Sequence, residues 1–208
     1  ASYQRREYVR QQGIPYSGGN YKKYSHSLFF GDPDYGYDVD VYRLGSNYAH
    51  YFDNAWTFKQ NFAVTKTETL GDSILASGRS VLPTIKRAIN NQDKQDVNYT
   101  LDNNLQRNFN FEHINYDVMV GLDMMRERSD YYRRTDTIND FDVNNPSYGN
   151  ISIKKVGVPT EEITYSQYAG LYLRNTIKID DDWIIGLSGR HDWTQVEIDN
   201  ILTNTTTK

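Results

Sequence analysis

Bulky residues occupy every second position from Trp56 onward (Trp56, Phe58, Gln60, Phe62, Val64), and Thr57, Lys59, Asn61, Ala63 and Thr65 stand between them. A period of two puts the two sets on opposite faces of an extended strand, one apolar and one small or polar. The alternation recurs in seven runs, at about residues 1–12, 39–52, 55–69, 94–110, 115–131, 163–179 and 183–198. On the fourth run one face reads Asp96, Asn98, Thr100, Asp102, Asn104, Gln106, Asn108, and the other carries Tyr99, Leu101, Leu105 and Phe109. The pattern predicts an all-β chain of antiparallel strands.

The connections fall into two classes that alternate strictly. Residues 53–55, 111–114 and 180–182 are tight links, whereas 13–38, 70–93 and 132–162 are long. An up-and-down barrel in a bilayer does this, with short periplasmic turns and long extracellular loops. All five prolines (Pro15, Pro33, Pro83, Pro146, Pro159) lie in the long links, as expected of a residue that cannot donate to a ladder. Within the second long link, residues 73–91 read as a short helix interrupted by Pro83.

Spacing along the greasy faces separates lipid from a protein core. Tyr42 and Phe52, Tyr99 and Phe109, and Trp183 and Trp193 each stand ten residues apart on one face. At ~3.3 Å per residue that is ~33 Å of strand. Tilted by about 40°, it spans roughly 25 Å, the height of an outer-membrane apolar band between aromatic girdles. A soluble sandwich also alternates, but its strands usually run about 5–6 residues. A soluble carbohydrate-binding or adhesive module, with aromatics as sugar platforms, is the alternative from a different class.

Composition agrees with the membrane reading. The 208 residues have a mean hydropathy of -0.77 and no cysteine, yet include 18 Tyr, 8 Phe and 3 Trp. No stretch approaches the roughly 18 apolar residues of a spanning helix, and a barrel dilutes its apolar positions by alternation. A formal charge of -4 does not point to a nucleic-acid partner. The chain opens inside a strand, without a leader, and closes on "NTTTK"; residues 1–208 read as one partial barrel domain.

Candidate chemistry is sparse. His26, His50, His113 and His191 form no metal-ligand spacing, and His50 and His191 fall on the greasy faces. In "GRHDW", Arg190 and Asp192 share the polar face, which suits a lumenal ion-pair network better than an acid–base pair. Asp32, Asp34, Asp38 and Asp40 lack the Glu and Gly spacing of a calcium loop and read as turn residues, as does "DDD" at 180–182. No catalytic residue, metal site or bound cofactor is assigned; a barrel enzyme would need hydrolysis that His113→Ala or Ser166→Ala abolished. Aromatics in the long links, with Arg133 and Arg134 beside Tyr132, suit a mouth that holds an anionic or carbonyl-rich ligand. Tyr16, Tyr131, Tyr132, Arg133, Arg134 and Phe141 are the candidate contacts. On the greasy side, Lys66 and Arg126 stand near the external rim, where lipopolysaccharide phosphates would lie.

Several motifs carry a family likeness: "GIPYSG" (13–18), "GDPDYGYDVDVYRLGSNYAHYFDNAWTFKQNFAV" (31–64), "YDVMVGLDMMRERSD" (116–130), "NNP" (144–146) and "QYAGLYLRNTIKIDDDWIIGLSGRHDW" (167–193). The chain resembles the TonB-dependent siderophore receptors of Gram-negative outer membranes, and among them the receptors for ferrichrome and other hydroxamate siderophores. The resemblance implies a barrel of roughly 22 strands with a plugged lumen, of which this chain would be about seven strands. It implies a ferric siderophore as the transported ligand, TonB as the energy source, and partners in parts this chain would lack: the plug, the TonB box and the C-terminal strand. Arg43, Lys59, Arg174, Arg190 and Asp192 would then face the plug. Ferrichrome-type loop aromatics are matched only in part: Gln11, Gln12 and Gly13 precede "GIPYSG", Tyr16 is the nearest ring, and residues 71–92 contain no aromatic. By itself the piece would leave its edges open and transport nothing.

Overall fold

The computed structural model describes residues 1–10, 13, 28–78, 80–180 and 182–208. Seven long strands carry the architecture: β1 (Ser2–Tyr8), β2 (Tyr37–Tyr51), β3 (Trp56–Ala76), β5 (Arg87–Asn110), β6 (Ile114–Ile138), β9 (Thr160–Ile179) and β10 (Trp183–Asn200). Four short pieces complete it: β4 (Thr84–Ile85), β7 (Phe141–Asp142), β8 (Ile153–Lys155) and β11 (Thr205–Thr207). The long strands pair antiparallel in chain order, β8 adds to the end of β6, and β4 pairs with β7 apart from the main sheet. The sheet does not close on itself; its edges are β1 on one side and, on the other, β11, which pairs with Ile198–Asn200, followed by the free length of β10.

Register places like with like across the whole sheet. One row runs Phe62, Leu101, Met124, Ala169, Trp193. The neighbouring row on the opposite face runs Asn61, Asp102, Asp123, Gly170, Asp192. A one-residue slip in any pair would exchange the two faces. The apolar face is not covered by a second layer at this height: Phe62 is 37% exposed, Leu171 47% and Ile185 44%. A soluble sandwich would have enclosed them.

The tight turns that join β2 to β3, β5 to β6 and β9 to β10 lie at one end; the long connections, and the short turn 201–204 between β10 and β11, lie at the other. Phe52 and Trp56 close the first turn by a backbone bond of 2.9 Å, and Ala55 takes a left-handed φ of 64° within it. Asp180, at φ 46°, donates its backbone N–H to the His113 carbonyl at 2.9 Å and accepts from His113 Nδ1, which ties the second and third turns together. Rings cluster towards this end: Trp56 lies 6.3 Å from Phe109, and Phe109 lies 5.9 Å from Tyr116. At the other end of the apolar band, the Tyr3 and Tyr42 rings pack tilted, with centroids 5.0 Å apart.

Two boundaries depart from the sequence reading. Among the described residues of 73–91 no helix forms: β3 continues to Ala76 and β5 begins at Arg87, paired residue for residue. Ile74, opposite Ile89, is buried with it beneath Ile138, and this packing outweighs local helix propensity. The sixth strand likewise runs to Ile138, so Tyr131, Tyr132, Arg133 and Arg134 are strand residues and not loop residues. Above the band the chain folds back on itself. Tyr35 and Ile151 cover Ile74, Ile89 and Ile138, and Phe30, Ile85, Phe141 and Val143 form a second small core with Leu28, Ala76 and Leu82.

Candidate functional site

The polar face carries a network built from four strands. Arg190 on β10 donates through Nη2 to both carboxylate oxygens of Asp123 on β6, each at 2.8 Å, and through Nε to Asp192 at 2.7 Å. Tyr168 on β9 donates to the same Asp192 oxygen at 3.0 Å, and Tyr172 donates to Asp102 on β5 at 3.0 Å. Both rings stand within 5.6 Å of the guanidinium carbon, a cation–π distance. Arg190 and Asp192 therefore form the ion-pair network expected from "GRHDW".

Two glycines make the network possible. A Cβ at Gly170 would lie 2.3 Å from Arg190 Nη2 and 2.5 Å from Asp123 Oδ1. At Gly121 it would lie 2.0 Å from Tyr172 Cζ. The Tyr172 ring thus lies over bare backbone, and the guanidinium occupies the space of an absent side chain. Two carboxylates, Asp123 and Asp192, hold one guanidinium, and Asp102 stands beside them on Tyr172, so the shelf is left acidic.

The remaining lumen candidates behave differently. Arg43, Lys59 and Arg174 lie on the same face by register, opposite Thr65, Asn104 and Met119. Among the described residues none of them has an ion-pair partner. The sequence reading did not single out Asp102, Asp123, Tyr168 or Tyr172 as site residues; the alternation puts Asp102 on a polar face, and only the register of four strands brings the others to it.

The mouth candidates separate by strand parity. Tyr131 and Arg133 fall on the polar face, where the guanidinium lies 5.8 Å from the Tyr131 ring and Arg133 is exposed. Tyr132 and Arg134 fall on the opposite face, and Arg134 donates to the buried Asp136 at 3.2 Å. Phe141 is 1% exposed in the small external core, so it packs loop on loop and is out of reach of a ligand. Tyr16 lies outside the described residues. In the same core Arg87, also 1% exposed, donates to the carbonyls of Phe30 at 3.1 Å and Asn139 at 3.0 Å. Burial pulls its pKa below the ordinary guanidinium value, and Asp32 nearby opposes the shift. Asp32 itself accepts from the backbone N–H of Asp34 and of Gly149, the bonding of a turn residue. Among the described residues no cluster of His, Asp and Glu has the geometry of a metal site.

Comparison with known proteins follows the same lines. The family described as TonB dependent receptor-like, beta-barrel matches residues 1–208. The ferrioxamine B receptor of Salmonella typhimurium is 29% identical over 193 residues, 90% of this chain and 26% of that protein. The ferrioxamine receptor of Yersinia enterocolitica is 24% identical over 206 residues, 93% of this chain and 28% of that one. This chain therefore spans about a quarter of the length of the curated relatives it matches. Among solved structures, the siderophore receptor PiuA from Acinetobacter baumannii superposes with a TM-score of 0.81 at 12% identity. The match covers 96% of this chain and 33% of that one, and at this identity it speaks for the fold.

Proposed function

We propose, since this chain belongs to the TonB dependent receptor-like β-barrel family of bacterial outer-membrane proteins, that it forms part of the barrel wall of a receptor taking up a ferric siderophore. Two relatives in sequence are ferrioxamine receptors, so a hydroxamate chelate is the class of ligand we assign. The remaining strands and the plug belong to other parts of the longer protein, and TonB acts through those parts.

One observation carries the reading: the face that lipid would touch is apolar and uncovered, while the face towards the lumen holds unpaired Arg43, Lys59 and Arg174 beside an acidic shelf. A wall of this kind supports a folded plug held by ionic contacts. Capture takes place at the extracellular mouth. There Tyr131 offers a ring and Arg133 a guanidinium to a chelate rich in carbonyl oxygens. Release follows when energy relayed by TonB remodels the plug. The chelate must contact the two plug states unequally, because a ligand indifferent to them cannot be released by switching between them. Lipopolysaccharide contacts at the outer rim complete the proposal.

The test is growth of an iron-starved strain lacking its own receptors, restored with the intact gene and offered ferrioxamine, ferrichrome and catecholate chelates singly. Rescue by a hydroxamate chelate supports the assignment. Failure of every chelate overturns it.

A further inference from the structure

The apolar face carries a pair of amides deep within the hydrocarbon band. The register sets Gln60 on β3 beside Asn103 on β5, in a row that continues as Leu122 on β6 and Leu171 on β9. On β5, Asn103 stands four residues from Tyr99 and six from Phe109, the two rings that mark the band on that strand. At ~3.3 Å per residue and a tilt of about 40°, it lies roughly 10 Å inside the nearer ring. The rows on either side are greasy, with Phe62 and Leu101 towards the extracellular end and Phe58 and Leu105 towards the tight turns.

The amides satisfy each other only in part. Gln60 Nε2 donates to Asn103 Oδ1 at 2.8 Å. Among the described residues the Gln60 carbonyl and the Asn103 amino group have no further partner. A single bond between two amides leaves one carbonyl and one amino group over, whichever of them donates. Acyl chains offer neither group a partner at that depth, and an unmade hydrogen bond in hydrocarbon is costly. Nearer the turns the same face closes such groups on each other, where Tyr116 donates to Asn175 at 2.6 Å.

The leftover groups select the occupant. One acceptor beside one donor makes a self-complementary patch, the condition for an isologous two-fold contact. We propose that this strip of the outer wall, centred on Gln60 and Asn103, is the interface through which two copies of the receptor pair in the membrane. A two-fold axis along the bilayer normal, passing between β3 and β5, sets the Gln60 carbonyl against the partner's Asn103 amino group and repeats that bond across the axis. Phe58, Phe62, Leu101 and Leu105 form the apolar rim that encloses the two bonds. The inference rests on the membrane reading of this face, and it is independent of which chelate is carried.

The test uses the full-length receptor in lipid vesicles, labelled in separate batches with donor and acceptor dyes, with energy transfer followed as the receptor is diluted with lipid. Wild type is expected to lose transfer on dilution along the curve of a dimer. Gln60→Leu and Asn103→Leu should each raise the receptor-to-lipid ratio at half-association about tenfold, the loss expected when two interchain hydrogen bonds of the strength measured inside bilayers disappear. Leu171→Ala, in the same row but outside the strip, should leave it unchanged. In a receptor whose other cysteines are replaced, copies carrying Gln60→Cys should cross-link to copies carrying Asn103→Cys. Transfer in wild type no greater than chance encounter would overturn the interface. So would transfer that persists undiminished when both amides are replaced by leucine. Chelate uptake by the same variants should match wild type, which shows that they fold and keeps a failure here distinct from a failure of the transport reading.

Discussion

Replacing Arg87 by methionine should loosen the external cap and leave the membrane band intact. The side chain is fully enclosed, with Phe141 5.2 Å below its guanidinium carbon. Its two charge-assisted bonds, to the carbonyls of Phe30 and Asn139, are worth about 1.5–3 kcal/mol each. Methionine keeps the stem but leaves both carbonyls unpaired. It also removes the desolvation cost of a buried cation, which offsets part of the loss. The net effect is about 3 kcal/mol, or roughly a hundredfold rise in the open population. That opening should stay local, because the cap has its own small core and regions of a protein open independently when few contacts join them. Hydrogen exchange on the full receptor reads it directly. The amides of Asn139, Val143 and Gly149, bonded to Ser152, Pro83 and Asp32, should exchange about a hundredfold faster. Amides of Leu101 and Leu122 should not change. Unaltered protection at Asn139 and Val143, or an equal loss at Leu101, would refute the reasoning.

Four further outcomes follow from the geometry. Leu101→Arg should cost about 2–4 kcal/mol of folding free energy into bilayers, while Thr100→Arg, one residue away on the wet face, should cost far less. Both are measured by denaturant titration in lipid vesicles. Arg133→Ala should weaken chelate binding about tenfold, a usual loss for one charge-assisted contact, whereas Arg134→Ala should not, because it points away from the lumen to Asp136; fluorescence quenching on titration separates them. A double-mutant cycle between Arg190→Gln and Asp123→Asn should return a coupling under about 1 kcal/mol, since both groups remain partly exposed. Gly121→Leu should displace the Tyr172 ring and break its bond to Asp102, lowering the unfolding midpoint by the equivalent of about 1 kcal/mol or more.

Most of the sheet could be read from period two alone. Strands as long as β5 and β6 repeat their pattern often enough that Tyr99, Leu101, Leu105 and Phe109 declare one face without ambiguity. Turn ends were legible because a link as short as 53–55 allows only one geometry. The upper ends were not. Between Ser73 and Asn91 the alternation gives way to Ile74, Leu75, Ala76 and then Ala88, Ile89, a run that local propensity assigns to a helix. Only the cap formed by Tyr35, Ile138 and Ile151, distant in sequence, makes it strand. The mouth failed for a related reason. The sequence puts Tyr131 to Arg134 in one loop cluster, but a strand sends neighbours to opposite sides, so only Tyr131 and Arg133 share the polar face. In the network, Arg190 and Asp192 were visible as a local pair. Asp102, Asp123 and the two glycines beneath them needed the register of four strands.

The central claim is that one side of this sheet meets hydrocarbon and the other meets a wet interior. This chain contributes no cysteine, so single cysteines at 100, 101, 102, 122, 123, 171 and 172, in a full receptor whose other cysteines are replaced, can be spin-labelled in bilayers. Accessibility to dissolved oxygen, which concentrates in lipid, is then compared with accessibility to a water-soluble nickel chelate. The account predicts a strict alternation, with labels at 101, 122 and 171 open to oxygen and labels at 100, 102, 123 and 172 shielded from it. Labels at 101, 122 and 171 that are closed to oxygen and open to nickel would contradict it.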